Sequence, residues 1–328
     1  MNKCISTQRG IASLLIILIH CRFPGLLGGI SVAVARAAVF YFFIISGFFT
    51  FRADERAFYW ALKRQTLKIV KITGIAFILG ITWRIILAVF GKSGSLPMLV
   101  REWINLDTLI NILVFQKDII LGPYWFLISL LLCYPAIYFI RKTKAFVLSE
   151  WLMILLLLMN VFLSEIINIE NIIYYRNFWL SAFPFFLIGY LFHKRIEKIT
   201  TSERKTAVWG MYIGVALTVV EYFILGNRLI YVGSVVLALS ALLYAVDFPD
   251  KEIKFLSTIG EKYSLIIYII HWYFIDIYAI VLRYLNLQEN YFIQCMMPFI
   301  IIISSVTFGI IWTKIIRAID VKLIKSEK

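Results

Sequence analysis

Acidic residues are few in this chain: 19 Asp and Glu stand against 33 Lys and Arg, and charged residues of both signs make up only 16% of its 328 positions. A soluble domain carries roughly 25% charged residues. Hydrophobic residues reach 62% here, with a mean hydropathy of +0.87. That balance excludes an ordinary soluble fold and predicts an all-α polytopic protein of the cell membrane, because a spanning chain must satisfy its backbone hydrogen bonds internally. No loop exceeds about 30 residues, too short for a separate domain, so residues 1–328 read as a single membrane domain.

Cysteine is equally sparse. Cys4, Cys21, Cys133 and Cys295 fall in no metal-ligand or redox spacing, so no metal site is expected and the thiols read as packing residues or unpaired groups. A secretory cleavage pattern is also missing: nothing A-x-A-like follows the apolar run from Gly10 to Cys21, which reads as a retained first span with the N-terminus in the cytoplasm. Internal repeats are absent, as are inverted pairs of broken helices of the kind that marks many transporters. The net charge of +14 does not point to nucleic acid in so apolar a chain; the Lys and Arg excess sets topology and meets anionic lipid headgroups.

Apolar segments long enough for about 30 Å of hydrocarbon are found at 9–26, 36–51, 70–91, 121–140, 151–168, 177–192, 206–225, 228–246, 263–282 and 292–313. They predict about ten transmembrane helices, with an amphipathic stretch near Trp103 to Phe115 lying between the third and fourth. With the N-terminus inside, 24 of the 33 Lys and Arg fall in cytoplasmic segments; seven, namely Arg22, Lys92, Arg101, Lys117, Arg176, Arg228 and Arg283, fall outside. This bias predicts both termini in the cytoplasm.

Histidine is the rarest titratable residue, with only three copies. His193 sits in the basic run His193-Lys194-Arg195 and reads as a solvated surface residue. His20 and His271 lie within spans, and an ionisable group inside a bilayer marks function by default. His20 follows Arg9 by eleven residues, three helical turns and a rise of about 16 Å, so the two share one helix face at different depths. His271 lies about eight residues into a span of the same direction, at similar depth to His20. For each histidine the alternative is a hydrogen-bonded helix contact; for Arg9 it is a snorkelling positive-inside arginine. Asp276 and Glu221 are the intramembrane carboxylates available to orient a histidine, and spacing assigns neither. Tyr174, Tyr175, Trp179, Trp272 and Tyr273 read mostly as interfacial belts.

The Arg-x10-His pair resembles the signature of the acyltransferase type 3 family of integral membrane O-acyltransferases. Other segments are similar to that family in order along the chain: Phe40-Tyr41-Phe42-Phe43-Ile44-Ile45-Ser46-Gly47-Phe48-Phe49; the basic run Lys63-Arg64-Gln65-Thr66-Leu67-Lys68; Trp125 after Gly122-Pro123-Tyr124; Phe183-Pro184-Phe185-Phe186-Leu187-Ile188-Gly189-Tyr190; and Ser264-x3-Tyr268-x2-His271. The resemblance implies transfer of an acyl group, typically acetyl from cytoplasmic acetyl-CoA, to a hydroxyl of a cell-surface or exported glycan or a lipid-linked sugar. Arg9, Arg64 and Lys68 would hold the donor phosphates. His20 would act as general base or as a covalent acyl-histidine relay. Arg36 and Arg84, at the outer ends of spans two and three, together with Trp125 and His271, are candidates for binding the acceptor; interfacial snorkelling is the other reading of the two arginines. Ser46-Gly47 reads chiefly as a close helix contact. A transporter or flippase of a lipid-linked glycan, with Arg9 and His20 serving proton coupling, is the rival from another class; a membrane sensory or partner domain is a second.

Overall fold

The computed structural model describes residues 2–90, 96–117, 120–163, 174–196 and 206–326. The expectations for Lys92, Lys198, Arg204, Lys205 and Lys328 fall outside these residues. Among the described residues the chain is helical with no strand. In order, the helices are α1 (Lys3–His20), α2 (Gly25–Ala35), α3 (Ala37–Thr50), α4 (Glu55–Val89), α5 (Leu96–Ile104), α6 (Leu106–Phe115), α7 (Trp125–Thr143), α8 (Phe146–Val161), α9 (Phe183–Arg195), α10 (Ala207–Leu225), α11 (Val232–Asp247), α12 (Lys254–Thr258), α13 (Ser264–Tyr284) and α14 (Tyr291–Ser326). A π-helical turn, Phe178–Ala182, leads into α9, and another, Ile259–Tyr263, joins α12 to α13.

Among the described residues, six helical stretches are long and apolar enough to cross a membrane: Gly25–Thr50, Glu55–Val89, Gly122–Thr143, Ala207–Leu225, Lys254–Tyr284 and Tyr291–Ile316. Phe146–Val161 and Val232–Asp247 are shorter apolar helices. The stretch near Trp103 to Phe115 forms the end of α5 and all of α6.

Two boundaries differ from the sequence reading. The first helix ends at His20, not near residue 26: the Cys21 N–H still bonds Ile17 O, but Phe23 precedes Pro24, and a residue before proline is driven out of the helical region. Residues 25–35, expected to lie largely outside the spans, form α2 and run on through Arg36 into α3. Arg36 therefore sits near the middle of a candidate span, not at its outer end.

The chain divides into two compact units, Met1–Val39 with Thr201–Lys328, and Phe40–Thr200. In the first unit α1 lies alongside the helix Lys254–Tyr284, and both run in the same direction. The Asn2 side chain caps α1 by accepting from the Ile5 N–H and donates to Ala245 O at 2.6 Å, while the Lys3 and Cys4 N–H groups donate to Pro249 O. Two glycines set the closest approach: a Cβ on Gly10 would collide with the Leu256 carbonyl, and one on Gly260 with the Ser6 carbonyl and the Gly10 nitrogen. Small residues let membrane helices approach this closely, where van der Waals packing replaces the hydrophobic effect as the cohesive force. Ile17, Cys21, Ile259, Ile267, Ile301 and Val306 form the buried apolar core next to that contact.

In the second unit α3 and α9 meet by the same device. Gly47 lies against Phe186 O, and Gly189 against Ile44 O, which is the helix contact expected of Ser46-Gly47. Phe40 stacks on Phe185 at 4.3 Å and Phe43 packs on Phe126 at 4.4 Å. At the far end of α3, the Arg141 guanidinium donates to the carbonyls of Arg52 and Ala53, both at 2.9 Å, and to the Tyr190 hydroxyl. His193 is not a solvated residue of a charge run. Its ring stacks on Phe48 at 4.2 Å with Nδ1 2.6 Å from Phe48 O, and burial pushes the ring below its ordinary pKa.

The orientation read from the basic residues yields a direct test. Asp250 and Glu289 are exposed at opposite ends of the helix Lys254–Tyr284. In a background lacking the four native cysteines, Asp250→Cys should react with an impermeant thiol reagent only from the cytoplasmic side and Glu289→Cys only from outside. The reverse pattern would overturn that orientation.

Candidate functional site

Arg9 and His20 lie on one face of α1, and the first unit gives each a neighbour. The Arg9 guanidinium donates from Nη2 to Ser264 Oγ at 3.3 Å, and the Ser264 hydroxyl donates to Gly260 O at 2.9 Å. Ser264 is the first residue after the π-helical turn Ile259–Tyr263. A π-turn inserted in an α-helix is rare and recurs at functional sites, because it redirects the side chains that follow. Here it lies against α1 at Gly10 and Gly260, so Arg9 meets the hydroxyl that begins the regular helix.

His20, the last residue of α1, faces α13. Its ring centre is 5.4 Å from that of His271, with 34° between the planes, and 5.0 Å from Trp272, whose ring meets it edge-on. His271 is fully buried; its Nδ1 lies 3.1 Å from Ile267 O, while its Nε2 has no hydrogen-bond partner among the described residues. Leaving a buried acceptor unsatisfied costs about 1–3 kcal/mol. The matching depth expected of the two histidines is therefore realised as ring-to-ring proximity. Trp272 and Tyr273 leave the group of belt aromatics: the first packs on His20 and the second is buried, whereas Tyr174 and Trp179 are exposed.

The remaining candidates are spread over both units. Arg36, half-buried, lies within electrostatic reach of Tyr231, a fully buried residue whose hydroxyl donates to Gly226 O at 2.7 Å and accepts from the Arg228 N–H. Arg84 pairs with Glu102 of α5 at 3.8 Å, a partly exposed ion pair of at most about 1 kcal/mol. Arg64 and Lys68 are exposed one turn apart on α4, the guanidinium of Arg64 lying 4.7 Å over the Trp60 ring. These two residues belong to the second unit and Arg9 to the first. Trp125 is buried at the head of α7, tilted against Phe43 at 5.9 Å, with the Arg176 guanidinium 5.4 Å over its ring. Glu221 accepts from the Val232 and Gly233 N–H groups, capping α11, and Asp276 stands five residues past His271, about 140° around the helix.

Sequence reasoning missed three contributors: Ser264 as the neighbour of Arg9, Trp272 as the wall against His20, and Arg176 over Trp125. Ser264 carried a signal, since it heads the Ser-x3-Tyr-x2-His segment. For Trp272 and Arg176 the contacts are tertiary and no local pattern announces them.

The quoted segments assemble unit by unit. The Arg-x10-His pair meets the Ser264 to His271 segment in one unit, and the aromatic run of α3 meets Trp125 and the Phe183 to Tyr190 segment in the other. No curated protein and no solved structure matches the sequence. The acyltransferase domain family matches it over residues 2–316, essentially the whole chain and both of its units. The chain therefore belongs to the acyltransferase type 3 family and is a membrane acyltransferase.

Proposed function

We propose that the chain is an O-acetyltransferase of the cell membrane that carries an acyl group from cytoplasmic acyl-CoA to a hydroxyl of a cell-surface or exported glycan, through a ten-helix fold with both termini inside. The carrying observation is the face of α1 on which Arg9 and His20 stand about 16 Å apart, one at Ser264 and the other against His271 and Trp272. Such a face suits a long donor with charged and reactive ends. Phosphates are held toward the Arg9 end, and the pantetheine arm runs along α1 to bring the thioester to His20.

There the acceptor hydroxyl attacks the thioester carbonyl while His20 takes its proton. The new C–O ester bond forms, the C–S bond breaks, and the proton passes from the imidazolium to the departing thiolate, giving free CoA thiol. The cation formed transiently on His20 sits at the C-terminal carbonyls of α1, the end of a helix dipole that favours positive charge. Arg36, in the same unit as His20, is the cationic group offered to the acceptor.

Calorimetry with acetyl-CoA tests the donor half. Binding should be micromolar and weaken with salt, and Arg9→Ala should weaken it about tenfold in protein that still inserts, the effect of losing one charge-assisted phosphate contact. Folded wild-type protein that binds no acetyl-CoA would shift the reading to a transporter.

A further inference from the structure

We propose that His271 selects the acceptor: its Nε2 receives a hydrogen bond from the hydroxyl on the carbon next to the one that is esterified. The acceptor is then a sugar hydroxyl with a free vicinal neighbour. The inference rests on the assignment of His20 as the base and names the class of hydroxyl that the two rings take together.

His271 has one nitrogen committed and one open. A carbonyl oxygen only accepts, so Nδ1, 3.1 Å from Ile267 O, carries the hydrogen, and in the neutral ring Nε2 is then an acceptor. Ile267 lies one turn back on the same helix, so that bond turns Nδ1 toward the α13 backbone and leaves Nε2, across the ring, facing away from it. Nε2 is buried and has no hydrogen-bond partner among the described residues. Buried polar atoms are nearly always satisfied, and an open acceptor calls for a group that brings a hydrogen.

The spacing of the two rings says which group fits. Vicinal hydroxyl oxygens on a sugar ring lie about 3 Å apart, and O–H···N bonds of about 2.8 Å leaving them at ordinary angles place two acceptor nitrogens about 5–6 Å from one another. Equatorial oxygens one carbon further apart would need about 8 Å. The ring centres of His20 and His271 are 5.4 Å apart, which matches the first span. Half-buried Trp272, edge-on to His20 at 5.0 Å, closes one side of the base. In the reaction the hydroxyl at His20 gives up its proton and takes the acyl group. Its neighbour keeps its own proton, donates it to Nε2 and holds the nucleophile in line. A hydroxyl without such a neighbour leaves the buried acceptor unsatisfied in the bound complex, and a site built to bond a hydroxyl rejects a substrate that lacks it.

The position of the ester in the wild-type protein gives a readout that needs no variant to fold. Surface glycans labelled from acetyl-CoA are released, kept mildly acidic so that esters do not migrate, and mapped by two-dimensional NMR. Labelled esters are expected on ring hydroxyls whose neighbouring carbon carries a free hydroxyl. Esters placed chiefly on the exocyclic primary hydroxyl of a hexopyranose, which has no such neighbour, would overturn the proposal.

Two variants then separate the hydrogen bond from packing. His271→Phe keeps ring volume but removes the acceptor; transfer should fall about 10- to 100-fold, the factor carried by one buried hydrogen bond, with acetyl-CoA affinity within about threefold of wild type. His271→Gln, whose amide oxygen reaches the position of Nε2, should recover most of the lost rate. Folded His271→Phe with the wild-type rate, or folded His271→Gln no faster than His271→Phe, would overturn the proposal. Glycans that carry no labelled ester, or transfer retained by His20→Ala, would instead defeat the reading of His20 as the base.

Discussion

His20→Ala should leave no measurable acyl transfer in protein that folds, inserts and still binds acyl-CoA. Removing a general base typically costs about 10²- to 10⁴-fold in rate, and the neighbouring imidazole of His271 has its Nδ1 held by Ile267 O. Arg9→Ala should fail differently, weakening donor binding more than it slows the bound complex, because Arg9 sits three turns away beside Ser264. Donor affinity by calorimetry and single-turnover transfer, measured on both variants, separate the two roles. Equal loss of affinity in the two would mean that the face of α1 does not divide into a binding end and a reacting end. His193→Ala is no neutral comparison, since its ring stacks on Phe48.

Gly260→Leu should be the most damaging single substitution for folding in the first unit. The side chain would enter the Ser6 carbonyl and the Gly10 nitrogen while pressing on Arg9 Cβ, and two of these atoms are backbone that cannot rotate away. Overpacking a well-filled interior costs about 1–3 kcal/mol when neighbours yield; here α1 and the π-helical turn must part, so the loss should exceed that range and remove most folded protein. Gly74→Ala is the matched control. Nothing approaches a Cβ within 4 Å there, and the position is inside α4, so stability should stay level or rise by about 0.5–1 kcal/mol. Thermal unfolding followed by intrinsic fluorescence in detergent compares the two. A Gly260→Leu protein as stable as wild type would mean that this contact does not hold the unit together.

What the sequence made legible was the part governed by period and by scarcity. Arg9 and His20 stand out because eleven residues return to one helix face and because a charge inside an apolar run is costly, and the structure keeps them on one face of α1. Equal depth for His20 and His271 followed from span direction alone. Their contact did not, because it depends on how closely α1 approaches the neighbouring helix, which Gly10 and Gly260 decide across some 250 residues of sequence. The π-helical turn was invisible for the same reason: Ile259-Gly260-Glu261-Lys262-Tyr263 has no local preference for i+5 bonding and meets α1 through tertiary contact.

α2 was missed, residues 27–35 having been left between the first two spans. Gly28 and Gly29 are where Phe23 O and the Tyr222 hydroxyl come closest, so packing overrides the low helix propensity of glycine. That error also moved Arg36 from the middle of a span to its end. The charge run at 193–195 concealed His193 because charge patterning describes solvation and says nothing of an aromatic ring, Phe48, arriving from α3.

The central claim is that the acyl group crosses from a cytoplasmic thioester to a glycan hydroxyl through His20. Its most direct measurement uses cells or membrane vesicles supplied with isotope-labelled acetyl-CoA on the cytoplasmic side only, followed by mass spectrometry of the surface and lipid-linked glycans. The account predicts labelled acetyl esters on glycan hydroxyls with the wild-type chain and none with His20→Ala present at the same level in the membrane. Unlabelled glycans with the wild-type chain present and folded, or the same labelling from His20→Ala, would contradict it.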